Sequence, residues 1–303
     1  MIIVDYRNIF FALSGLLVLA SFGALAVFGL QIGSDFTGGT LVQVRYDTRP
    51  AVEELTRSLD SAGFEGYSLR EAENTDYILR AGNLSEAQRA GLKTTLSIGD
   101  TYTSEITQLT EVGPTIGKEL RNKAFFALAL VLICILFFIA FAFRKVSKPI
   151  SSWVYGLIAL VTLAFDVTIP LGAFAIFGEL WGAQIDSLFV TAILTILGYS
   201  VHDTIVVFDR TRENLRLNEE HSRKEDFAHT AGRSLKQTFV RSMNTSVTTL
   251  IALTILYLVG PDSTKDFALT LLVGIVAGTY SSIFLATPLL VAVERWRAGK
   301  GAR

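Results

Sequence analysis

Residues 188–208, LFVTAILTILGYSVHDTIVVF, form an apolar run long enough to cross a bilayer, yet this run contains His202 and Asp203. A charged carboxylate at the centre of a bilayer costs about 2.5 to 3.5 kcal/mol on insertion scales, so such a group tends to face a partner or a wet cavity. We therefore interpret Asp203 as functional. The alternative is a lone aspartate that hydrogen-bonds to a neighbouring helix purely for packing.

Small and hydroxylated residues accompany Asp203 along this run. Residues of this kind allow helices to approach closely and to hydrogen-bond with one another. The pattern predicts that this segment packs against other helices, and that it uses some of its polar groups to do so. The residues concerned are Thr191, Thr195, Gly198, Tyr199, Ser200 and Thr204.

The composition is that of a polytopic membrane protein. Half of the 303 residues are hydrophobic, and only 18% are charged. A net charge of −1 gives no indication of nucleic-acid binding. The single cysteine, Cys134, excludes an internal disulfide, and the three histidines lack a metal-binding spacing such as HExxH. We expect no metal, no cofactor and no enzymatic chemistry.

Six apolar runs predict six transmembrane helices. The first run, 9–30, is longer than the apolar part of a signal peptide, so we interpret it as an uncleaved helix within an N-terminal segment 1–30. The third run contains Asp166, followed one turn later by Pro170. The predicted helices after the first are 124–143, 150–177, 188–208, 243–259 and 267–293, within a membrane region 124–294.

The basic residues of the short loops predict the orientation. They cluster after the second helix, in the loop 209–242 and in the tail 295–303, whereas 178–187 and 260–266 hold almost none. The positive-inside rule then places both termini in the cytoplasm and residues 31–123 on the outer side. The basic residues outside the 209–242 loop are Arg144, Lys145, Lys148, Arg295, Arg297, Lys300 and Arg303.

Residues 31–123 have the composition of a small soluble domain. Alternating apolar residues predict strands at 40–46, 67–71, 77–80 and 102–112. Helices are predicted at 51–62, after Pro50, and from a cap at Ser85 through Leu92. The order strand, helix, strand, strand, helix, strand predicts an α+β ferredoxin-like extracytoplasmic domain between the first two membrane helices.

Two glycine-rich segments flank this domain, GSDFTGG at 33–39 and VGPTIGKEL at 112–120. Their glycines supply unusual backbone angles or hinges where the domain meets the membrane. A phosphate-binding loop is the competing interpretation, but the Walker pattern is absent and a strand follows in place of a helix. The predicted hinge or junction residues are Asp35, Gly38, Gly39, Gly113, Pro114 and Gly117.

Arg241 opens the fifth helix at a depth similar to that of Asp203, so the two side chains are candidates for an ion pair. On the same helical face lie Asn244, Thr245, Thr248 and Thr249. The alternative is that Arg241 is a boundary residue whose side chain reaches the lipid headgroups. His202 and Asp166 also have non-functional interpretations. His202 is then a neutral side chain packed against a neighbouring helix, and Asp166 forms a local hydrogen bond within its own helix.

A carboxylate whose arginine partner approaches and retreats releases and takes up a proton. A proton that crosses 100 mV yields about 2.3 kcal/mol, enough to bias a conformational equilibrium. We therefore interpret Asp203 and Arg241 as a proton relay, with His202 and Asp166 as weaker candidates. Movement of the outer domain is the expected output.

As a set, four motifs resemble the SecF family of bacterial protein-export membrane subunits, within the resistance-nodulation-division superfamily. They are the two glycine-rich segments, GYSVHDTIVVFDR at 198–210 and QTFVRSMNTSVTT at 237–249. The resemblance implies a complex with SecD, association with the SecYEG channel, and proton-driven promotion of late translocation of an unfolded exported polypeptide. It also implies a relay role for Asp203, with Arg241 as its partner.

Two positions depart from the family pattern. His202 stands where asparagine is usual, and because histidine titrates near neutrality the pH range of coupling is expected to differ. Phe165 stands where many relatives carry histidine, which weakens a proton role for Asp166. The competing functions are a proton-antiport efflux subunit of the same superfamily, a purely structural assembly subunit, and an intramembrane protease whose expected motifs are missing.

Overall fold

A computed structural model describes residues 2–72, 74–98, 102–144 and 150–301 of the chain. Lys145, Lys148 and Arg303, which contribute to the predicted orientation, lie outside these ranges. Contacts divide the chain into two compact units. The helical unit comprises Met1–Gly29, Ala127–Ile176 and Phe189–Arg303, and the sheet unit comprises Leu30–Phe126 and Phe177–Leu188.

Six helical segments of the described chain are long and apolar enough to span a membrane, as the sequence predicts. The protein is therefore a multi-pass membrane protein. The first five spans are single helices, and the sixth, Asp262–Gly299, contains two α-helices joined by a π-helical turn. The helices are α1 (Ile2–Asp5), α2 (Arg7–Phe28), α6 (Pro114–Ala142), α7 (Ser152–Trp181), α8 (Ser187–Glu220), α9 (Phe227–Val259), α10 (Asp262–Ser281), the π turn (Ser282–Ala286) and α11 (Thr287–Gly301).

Several of these helices are longer than the apolar runs that predict them. α6 begins at Pro114, ten residues before the predicted start, because proline suits the first turn of a helix, where its missing N–H is not needed. α8 and α9 extend into the 209–242 loop and leave only 221–226 between them. Apolar length locates the part of a helix that lipid can surround, but polar residues continue the helix where they are paired.

Close backbone contacts hold the helical unit together. A Cβ added at Gly172 of α7 would lie 2.4 Å from Cβ of Ser21 on α2, so these two helices touch at this glycine. On α10, Gly274 and Gly278 leave room for Ile196 and Ser200 of α8. Small residues at such spacing are the means by which membrane helices pack without a hydrophobic driving force.

The sheet unit contains a four-stranded antiparallel sheet in the order β2-β3-β1-β4. Apolar side chains of β1 and β3 pack with those of α4 and α5 in one buried cluster, which includes Val42, Leu79, Leu55 and Leu92. Ser85 forms the predicted cap of α5, and Gln88 completes a capping box. The elements are α3 (Ser34–Thr37), β1 (Gly39–Tyr46), α4 (Val52–Ser61), β2 (Ser68–Glu71), β3 (Tyr77–Ala81), α5 (Glu86–Leu96) and β4 (Ser104–Val112).

Candidate functional site

Asp203 of α8 is a buried carboxylate that is 5% exposed. Its Oδ1 accepts a hydrogen bond of 3.1 Å from the Ser242 hydroxyl of α9. Its Oδ2 is buried and has no hydrogen-bond partner among the residues that the structure describes. One oxygen of this carboxylate is thus held by a neighbouring helix, whereas the other is able to accept a proton or a hydrogen bond.

Asp166 of α7 is fully buried, and its Oδ2 accepts a hydrogen bond of 2.5 Å from the Ser200 hydroxyl of α8. Its Oδ1, like Oδ2 of Asp203, has no partner within the described chain. The bond to Ser200 crosses between helices, in contrast to the alternative of a local bond in a helix disturbed by Pro170. Ser200 and Asp203 are three residues apart, so α8 links both carboxylates.

The last span adds a fourth helical segment to this polar cluster, after α7, α8 and α9. The hydroxyls of Ser282 and Thr204 lie 2.9 Å apart, and the Ser282 hydroxyl also donates to the carbonyl oxygen of Ser200 at 3.3 Å. Ser282 opens the π turn, a distortion that is frequent at functional sites. Sequence reasoning missed Ser282, although small residues recur every four positions at Gly274, Gly278 and Ser282, which is a signal for close helix packing.

Arg241 does not pair with Asp203, so the predicted contact is absent from this arrangement of the described residues. Arg241 is exposed, and the adjacent Ser242 points to the carboxylate instead. Successive residues of an α-helix are rotated by about 100°, so neighbours on α9 face different directions. Of the other members of the predicted face, Asn244, Thr245 and Thr248 are exposed and Thr249 is half-buried. Ser242 and Ser246 of the same helix are buried.

One side of α8 presents polar or small residues at the surface of the chain. His202 and Gly198 are exposed, as are Thr195 and Thr191, about one and two turns from Gly198 towards the start of α8. Thr195 donates its hydroxyl to the carbonyl of Thr191, 2.8 Å away, which satisfies that group within the helix. The exposed position of His202 does not fit a side chain packed against another helix of this chain.

Residues at the end of α8 and the start of α9 form a hydrogen-bonded clasp around Glu225, which lies between the two helices. Its carboxylate accepts hydrogen bonds from Asn218, Thr230 and Arg233, and it also pairs with His229. Burial acts to raise the pKa of Glu225, but these hydrogen bonds outweigh it and lower the pKa to about 2. Asn218 and its neighbour Asn214 are buried, so part of the charged 209–242 loop is packed inside the protein.

Three of the four glycines predicted as hinge or junction residues are tightly packed. Gly38 has a φ of 79°, and a Cβ there would lie 2.8 Å from Cα of Pro114. Gly39 has a φ of 142°, and a Cβ there would meet the carbonyl oxygen of Ala81 at 2.5 Å. Gly117 lies inside α6, where its missing side chain makes room for the backbone of Gly38. Gly113 has no such neighbour within 4 Å.

Asp35 has a specific partner in the sheet unit. Its carboxylate accepts hydrogen bonds from the backbone N–H and the hydroxyl of Ser187, the first residue of α8.

Within the described parts of the chain, no cluster of three His, Cys, Asp or Glu side chains is arranged to hold a metal ion.

Comparisons with known proteins agree with this arrangement. Residues 93–296 match the family model for the C-terminal region of the protein export membrane proteins SecD and SecF. The chain is 41% identical to the protein translocase subunit SecF of Thermobaculum terrenum, over 96% of this chain and 93% of that protein. It is 34% identical to the protein translocase subunit SecDF of Thermus thermophilus, over 94% of this chain but only 38% of that protein.

The same relationship holds in three dimensions. The crystal structure of SecDF from Thermus thermophilus, described as a translocon-associated membrane protein, superposes with a TM-score of 0.84 at 32% identity. The match covers 96% of this chain and 38% of the SecDF chain. With the six spans, the buried carboxylates and near-complete coverage of SecF relatives, the chain belongs to the SecD/SecF family of protein export membrane proteins.

Proposed function

We propose that this chain is a SecF-type accessory subunit of the Sec protein-export translocase, which uses the proton motive force to promote late translocation and release of the exported polypeptide. The observation that carries the proposal is the Asp203 carboxylate, which is buried in a spanning helix with one oxygen held by Ser242 and the other unpartnered among the described residues. A buried ionisable group of this kind marks a proton or ion pathway in membrane proteins.

In the proposed cycle, Asp203 takes up a proton from one side of the membrane and releases it to the other. Arg241 approaches the ionised carboxylate in one state and withdraws in the other, the withdrawn state being the one described above. Asp166 and His202 are secondary candidates, because Asp166 is joined to α8 through Ser200 and His202 is adjacent to Asp203. Protons are the coupling ion, and no cofactor or covalent chemistry is involved.

SecD is the proposed membrane partner. The SecDF relative joins a region similar to this chain to a longer polypeptide, of which this chain matches 38%. The exposed surface of α8 around Gly198 and His202 is polar for a lipid contact, so a helix of SecD is the expected neighbour. The SecYEG channel and the unfolded exported polypeptide are the further proposed partners.

The proposed location is the bacterial inner membrane, with both termini in the cytoplasm and the sheet unit on the outer side. The positive-inside distribution of basic residues supports this orientation. We assign the sheet unit to the ferredoxin-like class. Its support is the order β1-α4-β2-β3-α5-β4, together with an antiparallel sheet arranged as β2-β3-β1-β4.

The test compares Asp203→Asn with the wild-type chain in membranes that lack the native subunit but contain SecD. Asparagine preserves size and hydrogen bonding but does not ionise, so we expect export of a secreted reporter driven by the proton gradient to fall to the level of the deletion. The matched control is Asp209→Asn, which removes an exposed carboxylate from the same helix. Membrane abundance and SecD association are measured for each variant.

The same experiment decides against the relay if Asp203→Asn exports as well as wild type. A purely structural assembly subunit would then be the better interpretation, since the hydrogen bond from Ser242 to Asp203 also fits a structural carboxylate. That interpretation further requires that Asp203→Asn disturb SecD association or abundance more than proton-driven export.

A further inference from the structure

The loop between α7 and α8 is bound to the segment that precedes β1. Ile32 and Ile185 form a parallel bridge, in which the N–H of Gly33 donates to the carbonyl of Ile185 and the N–H of Ile185 donates to the carbonyl of Gln31, each at 2.8 Å. The side chain of Gln31 adds a bond of 2.8 Å to the carbonyl of Gly178. Gly33 and Ile185, which are 152 positions apart in the sequence, are thus joined by the kind of backbone hydrogen bond that joins parallel strands.

Asp35 extends this connection to the start of α8. The first N–H groups of a helix have no partner within the helix and carry partial positive charge, so they favour a carboxylate. Asp35 is that carboxylate for Ser187, with a bond of 3.1 Å to its N–H and a second bond from its hydroxyl. The cap is supplied by a distant segment, so it also ties two parts of the chain together.

The residues that follow Asp35 are fixed as well. Phe36 is buried, and Gly117 of α6 lies so close that an added Cβ would be 3.1 Å from the carbonyl carbon of Phe36. Gly38 contacts Pro114, the first residue of α6. The short helix that carries Asp35 is therefore packed against the start of α6 while its carboxylate holds the start of α8.

We infer that Asp35 is a positioning residue that clamps the first turn of α8 to α3, so that the start of the helix carrying Asp203 is held at a fixed point of the sheet unit. Asp203 follows Ser187 by 16 residues on the continuous α8, a rise of about 24 Å. The sequence predicts Asp35 as a hinge or junction residue, and the inferred clamp is the second of these. The inference rests on the proposed function for its purpose, but not for its structure.

The structural test measures amide hydrogen exchange in the complete membrane complex. In Asp35→Ala, the amides of the first turn of α8 should exchange about five- to tenfold faster than in the wild type, because the cap is lost. Asp47→Ala is the matched control, since Asp47 is an exposed carboxylate of the same unit with no contact to α8. Unchanged exchange at Ser187 and Leu188 in Asp35→Ala would overturn the clamp.

The functional test locks the contact covalently. Asp35→Cys and Ser187→Cys are combined with Cys134→Ser, which removes the native thiol, and the pair is oxidised. If the contact stays closed throughout the cycle, the locked protein should still export in a gradient-dependent manner. Asp35→Ala should lose severalfold in export but retain the proton uptake that depends on Asp203. If the lock blocks export and reduction restores it, the contact must open during the cycle and the inference is wrong.

The two proposals fail in different ways. An Asp203→Asn variant that exports normally would remove the proton relay, yet hydrogen exchange in Asp35→Ala would still decide whether the clamp exists. Conversely, normal exchange in Asp35→Ala together with impaired export in Asp203→Asn would remove the clamp and leave the relay intact.

Discussion

At the scale of single residues, the site is defined by two buried carboxylates that each accept a hydrogen bond from a serine on the next helix. Asp166 is bonded to Ser200, and Asp203 is bonded to Ser242. Serine donates one hydrogen bond and adds little volume, so it holds a carboxylate without neutralising it. This arrangement holds one oxygen of each carboxylate in place, whereas the other oxygen has no hydrogen-bond partner among the described residues.

Ser200→Ala should destabilise the helical unit by about 1 to 3 kcal/mol, because it removes the hydrogen bond from a carboxylate that is fully buried. Thermal unfolding of the purified protein in mild detergent measures the loss. Thr195→Ala is the control, since Thr195 is an exposed hydroxyl residue on the same helix and bonds only to its own backbone. Equal unfolding temperatures for the two variants would contradict a stabilising role for the Ser200 bond.

At the scale of elements, the α8–α9 hairpin fixes the two helices that carry Asp203 and Ser242. Its short connection, 221–226, is held by Glu225, which collects donors from the end of α8 and the start of α9. The Nδ2 group of Asn214 adds bonds to Ser234 and Gln237. Because polar groups of both helices are paired here, the helices continue well beyond their apolar parts.

Glu225→Gln should weaken this hairpin by about 1 to 2 kcal/mol, since it replaces a charged acceptor of several hydrogen bonds by a neutral one. The pKa of Glu225 in the folded protein is about 2, below its ordinary 4.5. Its contribution to stability is therefore complete above pH 4.5 and is lost as the pH falls from 4.5 towards 2.

Unfolding temperatures at pH 6 and pH 3 test this assignment. The wild type should lose more stability than Glu225→Gln between these values, because the variant has no carboxylate to protonate at this position. Glu219→Gln serves as the control, as it removes an exposed carboxylate from the end of α8, close in sequence to Glu225. A wild type and a Glu225→Gln variant with the same acid sensitivity would show that the clasp does not stabilise the hairpin.

At the scale of the whole molecule, the exposed surfaces of α2 and α8 differ in the residues that they present. α2 exposes large apolar side chains such as Leu16, Leu19 and Phe22, which suit lipid, whereas α8 exposes Gly198 and His202. A surface of small and polar residues on a spanning helix is expected to be covered by another helix.

Gly198→Leu should reduce co-purification with SecD at least severalfold while leaving membrane insertion unchanged, because leucine suits lipid but fills the space that a neighbouring helix needs. Within the chain itself an added side chain has room, since nothing lies within 4 Å of its Cβ position. Gly23→Leu is the matched control on α2, where the same substitution also meets open space. Full SecD recovery with Gly198→Leu would place the partner elsewhere.

The number of spans and the presence of ionisable residues within them follow from the sequence, because both depend only on local apolar length and residue type. The order of strands and helices between the first two spans is local in the same sense, since alternation, proline and a capping serine each act over a few residues. These features need no knowledge of which elements touch.

The tertiary structure alone decides which side chain meets which. A rotation of about 100° per residue determines that Ser242, and not Arg241, faces Asp203, and apolar length carries no information about that rotation. The bond between Asp166 and Ser200, and that between Asp35 and Ser187, join residues 34 and 152 positions apart. Such contacts depend on how the helices pack and on where the chain returns, and no local pattern in the sequence encodes either.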